Sequence, residues 1–136
     1  MLFRSGSEGP AQRFQAPGVE IGGIVDLRTA GEFLTARQGA GSVHHIAFRA
    51  TDDAAQAAMV RKLANNHRLQ TTQQKDRNYF RSVYFREPGR VLFEIATDPP
   101  GFAIDEPPGS LGEALKLPPF LEGRRAAIEA ALTKLD

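Results

Sequence analysis

Alternation of apolar and polar residues is clearest in the middle of the chain. Residues 43–50, VHHIAFRA, read as a strand, with His45, Ala47 and Arg49 on one face and His44, Ile46 and Phe48 on the other. Thr51-Asp52-Asp53 then offers an N-cap, and Ala55, Met59 and Leu63 recur every four residues. This pattern predicts a helix over 53–66 that stops at Asn65-Asn66-His67. Residues 69–74 suggest a weak edge strand, 78–86 a strand dense in aromatics, and 91–97 a further strand. Between the last two, Glu87-Pro88-Gly89-Arg90 has Pro then Gly at the central positions, which predicts a type II turn. From residue 43 the order is strand, helix, strand, strand, strand, an α+β arrangement.

The ends are less regular. Residues 1–20 show no clear period, although Arg13-Phe14-Gln15 can open a short strand. IGGIVDLR, 21–28, predicts a strand after a Gly22-Gly23 turn, and 29–42 reads as a small-residue connector. Beyond Asp98 a Pro-rich segment runs to 109. A short helical turn is expected at 110–115, where Ser110 and Glu113 fit a capping box. A terminal helix is expected over 121–135, with Leu121, Ile128, Leu132 and Leu135 as its apolar stripe. No convincing repeat is visible.

Composition narrows the function classes. A chain of 136 residues suits one domain, and 41% hydrophobic residues suffice for a packed core. Seventeen Lys and Arg against sixteen Asp and Glu give +1, which makes no case for nucleic acid or an anionic membrane. No apolar run approaches the ~20 residues that span a bilayer, and the start has no apolar signal region, so a cytoplasmic protein is expected. Without cysteine, disulfides, thiolate zinc sites and thiol catalysis are excluded.

Two polar residues stand in apolar strands. Glu94 sits in the middle of VLFEIAT, and a buried carboxylate is costly unless it is paired, hydrogen-bonded or coordinated. His45 lies in VHHIAFRA. Each has a small neighbour on its own face, Ala96 and Ala47, which leaves room in front of the sheet, whereas Ile46, Phe48, Phe93 and Ile95 on the opposite faces suit a core under the helix. A lone strand histidine is more often structural, and a lone glutamate can face water. As a pair, imidazole and carboxylate suit Fe(II), with Mn(II) and Zn(II) as alternatives. Tyr84 is ten residues before Glu94, across the turn, so the two lie near one level of a hairpin. Its phenol can donate a proton or serve as a hydrogen-bonding wall. Arg77, at the entry to that strand, can bind an anionic oxygen. Arg81 and Arg86 read as solvated edge residues, and His67 as a helix C-terminal residue favoured by the dipole. No phosphate loop or Gly-x-Ser-x-Gly elbow is present.

The segments GAGSVHHIAFRATDD, RNYFRSVYFREPG and VLFEIATDPPGFAIDE resemble the C-terminal part of hydroquinone-type ring-cleaving dioxygenases. These belong to the vicinal oxygen chelate superfamily, which also holds glyoxalase I and the fosfomycin and bleomycin resistance proteins. The match runs from about Phe14 to Arg125. It implies a fold of βαβββ modules: a partial preceding module and linker in 1–42, one complete metal-binding module in 43–98, and a Pro-rich and helical extension in 99–136. The resemblance implies that His45 and Glu94 are two of three Fe(II) ligands, the third being a histidine from a module outside this sequence. It implies an acid/base role for Tyr84 and substrate binding by Arg77. Arg90 departs from the family, where glycine is commoner. The implied substrates are a small aromatic diol and O2, and the implied partner is a second copy of the chain or an N-terminal half. Two alternatives stay open. One is a glyoxalase-type lyase or isomerase whose metal takes His45 and Glu94 from both chains of a symmetric dimer; the other is a non-catalytic small-molecule binding module. An oligomer is expected in any case, because the face with Leu92, Ala96 and Tyr84 needs cover.

Overall fold

The computed structural model describes residues 3–8, 11–19, 21–29 and 37–133. It divides into two units, 1–39 and 40–136. The first holds an antiparallel sheet of β1 (Phe3–Glu8), β2 (Ala11–Gln15) and β3 (Ile24–Arg28), in that order. Arg13 and Asp26 face each other across β2 and β3, and the guanidinium donates to both carboxylate oxygens at 2.8 and 2.7 Å. β1 lies where the sequence shows no apolar period. Its run Arg4-Ser5-Gly6-Ser7-Glu8 has no apolar face, and the backbone ladder to β2 defines it. β3 starts at Ile24 rather than 21, because Gly22 takes a positive φ of 72° and Ala16 N–H bonds to Gly23 O to close the loop. Residues 30–36 of the expected connector lie outside the described residues.

The second unit runs β4 (Ile46–Ala50), α1 (Asp53–His67), β5 (Lys75–Asp76), β6 (Arg81–Arg86) and β7 (Leu92–Thr97). Turns of 3-10 helix at Phe102–Ile104, Pro108–Ser110 and Pro119–Arg124 follow, and then α2 (Arg125–Ala131). The sheet order is β4-β7-β6-β5; β4 is parallel to β7 and the other neighbours are antiparallel. The chain is therefore mixed α and β. Side-chain alternation divides β6 and β7 as expected, but in β4, an edge strand, Ile46 is exposed and Phe48 only half-buried, and neither joins the core expected of them. Ala50, Val83, Phe85 and Ile95 form the buried core, and Met59, Val60 and Leu63 of α1 pack on it. Gln56, also buried, donates through Nε2 to Arg81 O and Ile95 O, so the helix is tied to the sheet by polar bonds as well as by packing. Among the described residues no helix is long and apolar enough to cross a membrane.

Several boundaries differ from the sequence expectation, each for a local reason. β4 starts at Ile46 instead of 43, because its ladder with β7 begins at the Ile46–Phe93 pair. Asp52 is the N-cap of α1, accepting from Ala55 N–H at 2.7 Å, but Arg68 at φ 55°, not an asparagine, takes the left-handed position at the other end. No strand forms at 69–74, where Leu69 turns onto the core; the edge strand is Lys75–Asp76. β6 begins at Arg81, not 78, because Asn78 is left-handed at φ 68° and Arg77 N–H closes a turn on Phe80 O. No helix forms at 110–115: Gly112 sits at φ 82°, and Ser110 Oγ bonds to Pro107 O rather than acting as a cap. The terminal helix is shortened to seven residues, with Leu121 and Ile128 half-buried and Leu132 exposed in extended backbone. Leu135 lies outside the described residues.

The hairpin turn also differs. Arg90 N–H bonds to Glu87 O at 2.8 Å, but the positive φ, 71°, falls on Arg90 and not on Gly89, so the turn is not type II. Glu87 steadies the loop by accepting from Gly89 N–H and Val91 N–H at 2.7 and 2.8 Å. A side chain in this region costs energy that glycine does not. Arg90→Gly is expected to raise stability by roughly 1 kcal/mol, offset in part by the added freedom of the unfolded chain, as read by denaturant unfolding.

Candidate active site

Glu94 is the centre of the site. Its strand neighbours are Ala47 of β4 on one side and Tyr84 of β6 on the other. The small alanine leaves the carboxylate space, yet Glu94 is only 2% exposed. Its Oε2 lies 2.8 Å from His45 Nε2, and its Oε1 is buried with no hydrogen-bond partner among the described residues. His45 precedes β4 by one residue, so the first rung of the parallel ladder fixes its position. Its other ring nitrogen, Nδ1, is 2.9 Å from His44 Nδ1. His44 does not join the core face expected of it; it is exposed, because strand alternation does not yet govern residues 44 and 45.

Tyr84 stands against this pair. Its ring meets the His45 ring edge-on, with centroids 6.0 Å apart. Its hydroxyl oxygen accepts from Arg77 Nη2 and from Ser82 Oγ, each at 3.3 Å. The Arg77 guanidinium carbon is 5.5 Å from the Tyr84 ring centroid, within cation–π range. The four residues selected from the sequence, His45, Glu94, Tyr84 and Arg77, therefore form one continuous contact chain. Arg81 and Arg86 do not enter it. Arg81 Nε donates to Asp53 Oδ1 at the start of α1, and Arg86 Nη1 donates to Arg90 O in the hairpin. The sequence reading gave Ser82 no role, although its period-two spacing from Tyr84 places both on one face.

The donor set suits a divalent cation. An anionic oxygen buried without a donor is the kind of group that a cation would satisfy. Among the described residues no group of three or more His, Cys, Asp or Glu side chains gathers, so these residues supply two donors.

A cleft of about 380 Å³ is lined by Ala47, the strand partner of Glu94, and by Ala96, but by none of His45, Glu94, Tyr84 and Arg77. Tyr79, Phe80 and Phe102 give it aromatic walls, and Tyr79 and Phe102 stack at 5.1 Å. Arg49 and Asp98, at its edge, form a forked ion pair with contacts of 2.8 and 2.6 Å. The hydrogen bond from Arg49 holds the Asp98 carboxyl below the usual range. The hydrogen bond to Asp105 raises the Tyr79 phenol above its ordinary value.

This chain is 47% identical over 135 residues to "Putative ring-cleaving dioxygenase MhqO" of Bacillus subtilis strain 168, which covers 99% of this chain and 42% of that protein. It is 46% identical over 120 residues to "Putative ring-cleaving dioxygenase MhqE" of the same strain, covering 88% and 39%. The chain is a homologue of proteins that carry the name ring-cleaving dioxygenase. "Chlorohydroquinone/hydroquinone 1,2-dioxygenase" of Sphingobium indicum is 44% identical over 85 residues, covering 62% and 26%. A solved structure titled as a putative dioxygenase from Bacillus subtilis superposes with a TM-score of 0.84 at 46% identity, over 99% of this chain and 43% of that one. The chain spans about two-fifths of the length of the first of these relatives. No protein-family model matches it.

Proposed function

We propose that this chain carries the metal-binding and ring-binding part of a dioxygenase that opens hydroquinone- or catechol-type rings with O2. In the reaction both oxygen atoms of O2 enter the product as a ring carbon–carbon bond beside a hydroxyl breaks. The observation that carries the reading is the buried Glu94 carboxylate, with one oxygen on His45 and the other without a donor, opposite a tyrosine. The names and identities of the relatives support the reaction class. His45 and Glu94 would hold Fe(II), with Mn(II) and Zn(II) as alternatives. The metal, when bound, lowers the proton affinity of a ring hydroxyl and brings ring and O2 together.

The protein groups do the rest. Tyr84 moves a proton to or from a substrate oxygen. The Arg77 guanidinium, already at the phenol oxygen, attracts the anionic oxygen of the ring. The aromatic cleft beside Ala47 and Ala96 gives the ring apolar surface and displaces water. Further metal donors come from a second polypeptide segment, either another copy of this chain or an N-terminal-half partner.

An oxygen electrode tests this with iron-loaded protein and both diol classes. Iron-dependent uptake is expected once a second segment supplies the remaining donors, not from the isolated chain, and His45→Ala should abolish it. Tyr84→Phe should lower kcat more than it changes KM, because the ring still packs while the proton is lost. Arg77→Ala should chiefly raise KM. Absence of iron-dependent uptake with an N-terminal-half partner added, or uptake that survives His45→Ala, would overturn the reading.

A further inference from the structure

Ser82 has no exposed surface, although it lies on the Glu94 face of the sheet, paired with Ala96 of β7 and Lys75 of β5. A buried hydroxyl needs a partner, and this one donates to the Tyr84 hydroxyl oxygen at 3.3 Å. Arg77 Nη2 donates to the same oxygen at 3.3 Å. A phenol oxygen has two lone pairs to accept with and one hydrogen to give. Both accepting positions are filled, so the Tyr84 hydrogen is what remains for a substrate. The Tyr84 backbone is held independently. It pairs with Glu94, its N–H donates to Thr72 Oγ1 at 3.1 Å, and its carbonyl accepts from Thr72 N–H at 2.8 Å. Removing the Ser82 hydroxyl would therefore act on the phenol end alone.

We propose that Ser82 is a positioning residue for proton transfer by Tyr84. With Arg77 it aims the Tyr84 O–H at a substrate oxygen and steadies the phenolate left behind. The inference rests on the ring-cleavage reading above. In the step, the Tyr84 O–H bond breaks and a new O–H bond forms on an anionic oxygen of the ring-derived substrate. The negative charge passes to the Tyr84 oxygen, where Ser82 and Arg77 donate to it. No electron changes hands between the protein and the substrate.

Ser82→Ala removes the donor at nearly constant shape. Loss of one hydrogen bond to a group that gains charge is expected to lower kcat about tenfold with KM within about twofold. In a Tyr84→Phe background the same change should cost nothing further, since no phenol remains to position. A kcat loss that multiplies with that of Tyr84→Phe would mean Ser82 acts only through packing and would overturn the proposal. A second readout does not need activity. The chain has two tyrosines, so protein labelled with ring-fluorinated tyrosine gives two fluorine resonances, assigned by Tyr84→Phe. Ser82→Ala should move the Tyr84 resonance and leave that of Tyr79 in place. A wild type that stays inactive with an N-terminal-half partner added would overturn the ring-cleavage reading. An unmoved Tyr84 resonance would overturn the role of Ser82.

Discussion

Glu94→Gln is expected to weaken divalent-metal binding by at least about a hundredfold while the melting temperature stays at or above that of wild type. The two effects have one cause. The carboxylate is 2% exposed, and among the described residues one of its oxygens has no donor and the other pairs with a half-buried histidine. Burying charge under these conditions costs stability. Glutamine keeps the shape and an acceptor for His45 and removes the charge, so the metal-free fold loses nothing. Cation affinity depends on that charge and falls. Titration calorimetry with Mn(II), together with thermal unfolding in chelator, reads both. A fall in stability with affinity preserved would make Glu94 a structural residue.

The adjacent residue should behave in the opposite way. Ile95 points to the other face, is 2% exposed, and packs with Ala50, Val83 and Phe85 under Met59 and Leu63. Ile95→Ala opens a cavity in a close-packed layer and should cost roughly 3 kcal/mol. For a unit of this size the melting temperature would drop by on the order of 15 °C. Metal affinity, measured below the transition, should change little, because Glu94 is held by backbone pairing to both Ala47 and Tyr84. Denaturant unfolding followed by circular dichroism checks the stability term. A loss below about 1 kcal/mol would mean that this core relaxes around the deletion.

The two faces of β6 and β7 were legible because strands alternate strictly, and VLFEIAT interrupts its apolar run at one position; in edge strand β4 the alternation misplaced Ile46, which is exposed. The pairing of Tyr84 with Glu94 followed from a ten-residue spacing across a recognisable turn. Other features left no such trace. β1 has no apolar face, so nothing in its pattern separates it from a loop. At the end of α1 and in the hairpin turn the left-handed positions fell on Arg68 and Arg90, residues whose side chains do not announce that conformation, while Asn65, Asn66 and Gly89, which do announce it, stayed out of it. Ser82 reads as an unremarkable small residue until the fold buries its hydroxyl against a phenol. The contact between His44 and His45 was hidden by an expected strand start three residues too early, which assigned the two rings to opposite faces.

Electron spin-echo modulation of Mn(II)-loaded protein tests most directly whether His45 and Glu94 hold a metal. Coupling to a coordinated histidine nitrogen is expected in the wild type, and His45→Ala should remove it while the fold persists. Bound Mn(II) without imidazole coupling, or coupling unchanged in His45→Ala, would contradict a metal held by this pair.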